Sequence, residues 1–124
     1  MIVESSTAIK MVKNQIYPAC LKYLNNISKT ALNLGKNNIN NSFIVEDVKV
    51  LSELLSNMKN SLINLETLTE NAKKIIDFKE KGNYIRDHIV NAMEELRKIV
   101  DKAETIVDSN TWPIPTYVDL LFSI

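Results

Sequence analysis

An apolar ladder in the middle of the chain limits its possible folds more than any other feature. Ile44, Val48, Leu51, Leu55, Met58, Leu62, Leu65, Thr69, Ala72 and Ile76 follow alternating steps of four and three, and only Thr69 is polar. Leu54, Leu68 and Ile75 widen the stripe on one side. A repeat of about 3.5 residues, sustained over four heptads, is the pattern of helices that pack nearly parallel or antiparallel. At 1.5 Å per residue such a helix is about 50 Å long. A rod-like bundle needs a helix of that length.

The flanking stretches carry related patterns. Ile85, Ile89, Ala92, Met93, Leu96, Ile99, Val100, Ala103, Ile106 and Val107 share one broad face. Asp87, Asn91, Glu94, Arg97, Lys98 and Asp101 line the other, which reads as a solvated face. Near the N-terminus, Ile9, Val12, Ile16, Cys20, Leu24, Ile27, Ala31 and Leu34 form a third stripe, with Pro18 inside it. Proline lacks the backbone donor and crowds the preceding turn, so a kink or a break is expected near Tyr17–Pro18. Ser5, Ser6 and Thr7 are candidate N-caps, Gly35 and Gly82 candidate helix stops, and Asn83 a candidate cap for the last helix. The expected fold is all-α, an antiparallel bundle of three long helices over about 5–34, 44–80 and 84–108. Residues 109–124 follow as an apolar tail.

Composition narrows the chemistry. The chain of 124 residues has 15 basic and 15 acidic side chains, one His, one Cys and two Gly. Zero net charge argues against a nucleic-acid partner. One Cys and one His exclude a disulfide framework and a Cys- or His-rich metal site within one chain. Two glycines cannot form a glycine-rich phosphate loop. The first ten residues lack the features of a signal peptide, and no apolar run is long enough for a membrane span, so a cytoplasmic setting is expected. Residues 1–43 carry five Lys and one Glu, a net of +4, against −4 for the remainder. That asymmetry favours association of the first helix with the other two.

Individual side chains invite sharper readings, and the bland ones are favoured. His88 lacks the lysine and the glycine one turn on that a phosphotransfer histidine wants, and reads as a histidine at the edge of the core. Glu94–Glu95 lack the Glu-x-x-His pairs of a bundle di-metal site and read as solvated. Cys20 lies on the apolar stripe and reads as a small buried hydrophobe.

The tail is sequence of another kind. Pro113 and Pro115 push Trp112 and Ile114 toward extended geometry, and Thr116 with Asp119 has capping-box spacing for a short helical turn. Its apolar side chains must cover something: a groove of its own bundle, the favoured reading, or another domain or subunit. The run Trp112-Pro113-Ile114-Pro115-Thr116-Tyr117-Val118-Asp119-Leu120-Leu121-Phe122 resembles the W-P-x-P-T-Y-x-D/E-L-L-F closing segment of type III glutamine synthetases. Met11-Val12-Lys13-Asn14-Gln15-Ile16-Tyr17-Pro18-Ala19 is similar to that family's M-V-x-x-x-I-x-P-A segment. Arg86-Asp87, followed by Ala92-Met93 and Leu96-Arg97, is similar to its R-D-x-V-x-P-A-M-x-x-L-R segment. Asn91 stands where the family usually has Pro, so the kink such a proline makes is expected to be missing.

The resemblance implies the C-terminal region of a larger enzyme that joins glutamate and ammonia using ATP and divalent metal, Mg or Mn. Its partners would be an upstream catalytic domain of the same chain and neighbouring subunits of a ring. The family's catalytic, nucleotide and metal residues have no counterpart here, so no catalytic, cofactor or metal residue is assigned. The implied role is structural and concerns assembly. The alternative, from the heptad stripe alone, is a free-standing helical adaptor or self-associating coiled coil.

Overall fold

The computed structural model describes residues 2–107 and Thr111. Among them every regular element is helical. Helix α1 (Ile2–Met11) passes through a π-helical turn (Val12–Ile16) into α2 (Tyr17–Lys36), making one continuous first rod. Helix α3 (Ser42–Lys73) is the second. Helix α4 (Phe78–Tyr84), a second π turn (Ile85–Ile89) and α5 (Val90–Ile106) form the third. The long apolar ladder explains the arrangement: α3 packs against both other rods.

The core runs along α3. Leu51, Leu55, Met58, Leu62, Leu65 and Ala72 meet Ala8, Val12, Ile16 and Cys20 from the first rod. Ile89, Ala92, Met93, Leu96, Val100 and Ala103 join from the third. Each large side chain fully removed from water contributes about 1.5–3 kcal/mol. Thr69, the polar step in the ladder, is buried, and its Oγ1 lies 3.1 Å from Oγ of buried Ser5. A slip of one heptad would set Ser5 against Leu62 or Ile76 and leave a buried hydroxyl without its partner, so this pair fixes the register. Lys13 and Glu66 (3.7 Å) join the basic first rod to α3 at the surface, where such pairs contribute little.

Several helix ends differ from those expected. The first rod starts at Ile2, and Ser5, Ser6 and Thr7 lie inside it rather than capping it. Ser5 Oγ donates to the Ile2 carbonyl (3.0 Å) and Thr7 Oγ1 to that of Val3 (2.8 Å), the back-bonding that lets hydroxyl residues sit within a helix. At Pro18 the rod widens instead of breaking. Tyr17 N–H reaches back five residues to the Val12 carbonyl, and Pro18 opens the α-helix that follows, where its missing donor costs least.

Gly35 is not the left-handed stop. The rod runs on to Lys36, and Asn38 takes the positive φ (56°). Ile39 N–H donates to the Leu34 carbonyl (2.9 Å) and Asn38 N–H to that of Gly35 (3.2 Å), a Schellman closure with asparagine in the glycine role. Gly35 has a different use. Asn41 Nδ2 donates to the Ala31 carbonyl (2.9 Å), and a Cβ on residue 35 would stand 3.3 Å from that nitrogen.

The second helix ends at Lys73, not 80. Asp77 is extended and its carboxylate accepts from Glu80 N–H (2.9 Å), a cap that starts the third rod at Phe78. Gly82 and Asn83 therefore lie inside α4. Ile76, the last rung of the ladder, falls in the turn and is 98% exposed. The third rod ends at Ile106, with Val107 extended. The tail's expected extended run and terminal turn, and its motif residues Trp112, Pro113, Pro115, Thr116, Tyr117, Asp119, Leu120, Leu121 and Phe122, lie outside the described residues.

The kink expected to be missing at Asn91 is replaced by a π turn. Val90 N–H donates to the Ile85 carbonyl, and Asn91 Nδ2 donates to that of Asp87 (3.2 Å). The two π turns hold equivalent places, each ending two residues before a motif position, Pro18 or Asn91. A widened turn thus forms without the proline.

Candidate functional site

Burial divides the motif residues into two sets. Ala92, Met93 and Leu96 are core, on the face of α5 turned to α3. Tyr17 and Ala19 are half-buried; the Lys59 ammonium sits 5.8 Å from the Tyr17 ring centre, a cation–π approach. Arg97 is half-buried, with Nε 3.6 Å from an Asp101 carboxylate oxygen one turn on. Pro18, Arg86 and Asp87 face solvent. Arg86 Nε and Asp87 Oδ1 are 3.3 Å apart.

Pro18 and Asp87 belong to two different surfaces. One is an open groove along the first rod, lined by Pro18, Leu21, Lys22, Leu24, Asn25 and Ser28. The other is a cleft of about 790 Å³ at the α3–α4 turn, where Lys74, Asp77, Glu80, Tyr84, Asp87 and His88 converge. His88 is exposed there rather than at the core edge, and its ring centroid lies 4.7 Å from that of Tyr84, one helical turn back. Ile76 and Phe78, 98% and 91% exposed, bracket the extended Asp77 at the tip of the turn.

The cleft's lining is mixed, with charged side chains beside Ile75 and Ile76. Its acids do not fit a divalent metal: Asp77 is engaged as a helix cap, and no three His, Cys, Asp or Glu side chains gather among the described residues. Cys20 is fully buried, and loss of solvent pushes its thiol up to about 11, so it is held as the neutral form. Glu94 and Glu95 are exposed. No helix among the described residues is long and apolar enough to cross a membrane.

Sequence reasoning missed the tip. It followed the apolar ladder through Ile76 and extended the second helix accordingly. The signal was present in Asp77-Phe78-Lys79-Glu80, an N-cap acid with Glu three residues on.

Comparison with known proteins places this bundle beside one group of enzymes. The chain is 24% identical to a type-3 glutamine synthetase of Dictyostelium discoideum, over 97% of its own length and 17% of that protein's. It is 26% identical to a glutamine synthetase of Butyrivibrio fibrisolvens, over 98% of this chain and 18% of the relative. The figures for a glutamine synthetase of Bacteroides fragilis are 24%, 98% and 17%. The chain thus spans about a sixth of the length of the curated relatives it matches. No family model and no solved structure matches it.

Proposed function

We propose that residues 1–124 are the C-terminal, non-catalytic region of a type III glutamine synthetase, and that they brace the subunit and contribute to its assembly. One observation carries this reading: similarity runs through 97–98% of the chain yet takes up only 17–18% of each glutamine synthetase. The exposed apolar side chains and the open groove along the first rod are compatible with a bracing role. In this reading the parent acts in the cytoplasm, and its partners are the upstream catalytic domain and neighbouring subunits of a ring. The parent's reaction consumes ATP with Mg or Mn, both held by the catalytic domain.

The test is to express the whole reading frame that contains residues 1–124, and residues 1–124 alone, and to assay ATP-dependent glutamine formation. The whole frame is expected to make glutamine and the 124-residue chain none. A frame that opens at Met1, or turnover by the 124-residue chain, contradicts the proposal.

A further inference from the structure

The core does not run the whole length of the bundle. From Leu51 to Ala72 the ladder on α3 is buried, yet Val48, one step before Leu51, is only half-buried. On the first rod the stripe is buried at Val12, Ile16 and Cys20 and half-buried at Leu34. Ala31 and Ile44 are buried but stand outside the core cluster. The α2–α3 pair nevertheless holds together to its end, where Asn41 Nδ2 donates to the Ala31 carbonyl. What changes there is the third rod. It runs back along α3, with Lys102 beside Val50, Glu53 and Leu54. It ends four residues later, at Ile106, and so stops about level with Val48. Helix α3 begins at Ser42, about 9 Å farther on. Phe43, 63% exposed, lies two helical turns before Val50 on the same side of α3, in line with the third rod's path. Core-facing positions of α2 and α3 thus extend past the rod that covers them elsewhere.

We infer that this uncovered end of the α2–α3 pair is the docking site of the chain's own segment 112–124, which covers Leu34, Phe43, Val48 and Val50. The point of departure favours that occupant. Val107 is extended and 5% exposed, so the chain is pinned beside the site as it leaves the third rod. The five residues from there to Trp112 reach up to about 17 Å, enough to set Trp112 anywhere along the overhang. Composition agrees. Eight of the thirteen residues from Trp112 to Ile124 are aliphatic or aromatic, and Asp119 is the one charged side chain. A surface of Leu, Val and Phe takes such a segment by burial of apolar area. A short tether raises the segment's effective concentration at the site to about millimolar, which favours it over a separate partner. The groove on the first rod is a poorer site, because Pro18, Leu21 and Asn25 lie on the side of that rod opposite Val12 and Ile16. Exposed Ile76 and Phe78 are poorer still, at the other end of a third rod about 40 Å long.

Trp112 is the chain's one tryptophan, so its fluorescence reads the segment directly. Acrylamide is expected to quench it at least about threefold less in the folded 124-residue chain than in urea, as for an indole removed from water. F43S/V50S is expected to bring quenching to within about twofold of the urea value. Its helical circular dichroism should stay unchanged, because both side chains are exposed on the bundle. Leu21→Ser, in the first-rod groove, is expected to leave the protection intact. Quenching as strong in the folded chain as in urea overturns the inference. So does protection that survives F43S/V50S but is lost in Leu21→Ser, which puts the segment in the other groove. Protection that falls on dilution means a second copy supplies the segment and also overturns it.

Discussion

The buried hydroxyl pair sets the register of the first rod on α3, and a double-mutant cycle reads it directly. Ser5 is 0% and Thr69 2% exposed. Ser5 commits its hydrogen to the Ile2 carbonyl, so Thr69 is the donor across the 3.1 Å contact. Ser5→Ala removes that acceptor and leaves a buried donor, at a cost of about 1–2 kcal/mol. Thr69→Val keeps the shape and leaves Ser5 bonded to Ile2, so the loss is about 0.5–1.5 kcal/mol. The double variant replaces both partners and is expected to lose about 1 kcal/mol less than the sum of the single changes. Urea unfolding of the four proteins, with the m-value checked for constancy, supplies the numbers. Additivity within about 0.3 kcal/mol would show that the hydroxyls do not meet and that the register is wrong.

Other consequences follow from the same packing. Leu65, wholly buried in the middle of α3, is expected to lose about 2–5 kcal/mol as Leu65→Ala, whereas the exposed Leu32→Ala stays within about 0.5 kcal/mol; denaturant titration separates them. Asp77→Ala removes the α4 cap and costs about 1 kcal/mol, read as a lower thermal midpoint by circular dichroism. Cys20 resists a thiol-specific chromogenic reagent in the folded chain and reacts fully in guanidinium. Its folded pKa lies above the ordinary 9.0, at about 11, so the neutral thiol's contribution is complete below pH 9 and is lost as pH rises toward 11. Across that window wild type should lose about 2–3 kcal/mol more than Cys20→Ala, by urea unfolding at pH 8.5 and above.

The parts of the fold legible in the sequence were those written in long-range periodicity. The ladder from Ile44 to Ala72 and the stripes through Ile16 and Leu96 are the rods and the core. What periodicity did not carry was where helices end, because ends depend on hydrogen bonds formed by a few residues. An apolar residue at the right spacing, Ile76, looked like another turn of helix; the Asp77 carboxylate outweighed it. Glycine looked like the natural stop at 35, but Asn38 could adopt the left-handed geometry and Gly35 was needed for the approach of Asn41. Pro18 promised a break, yet a single π turn absorbs the lost donor. The exposed tip was hidden for the same reason, since Ile76 and Phe78 stand out only once the chain is seen to turn between them. Motif residues marked by resemblance, such as Met93 and Arg86, carried no sign of which were core and which were surface until burial separated them.

The claim that this bundle braces a larger enzyme is tested most directly by sedimentation of the whole reading frame with and without residues 1–124. The intact protein should sediment as a large assembly that forms glutamine, and the shortened one should fall to smaller species. An unchanged assembly with unchanged glutamine formation would contradict it.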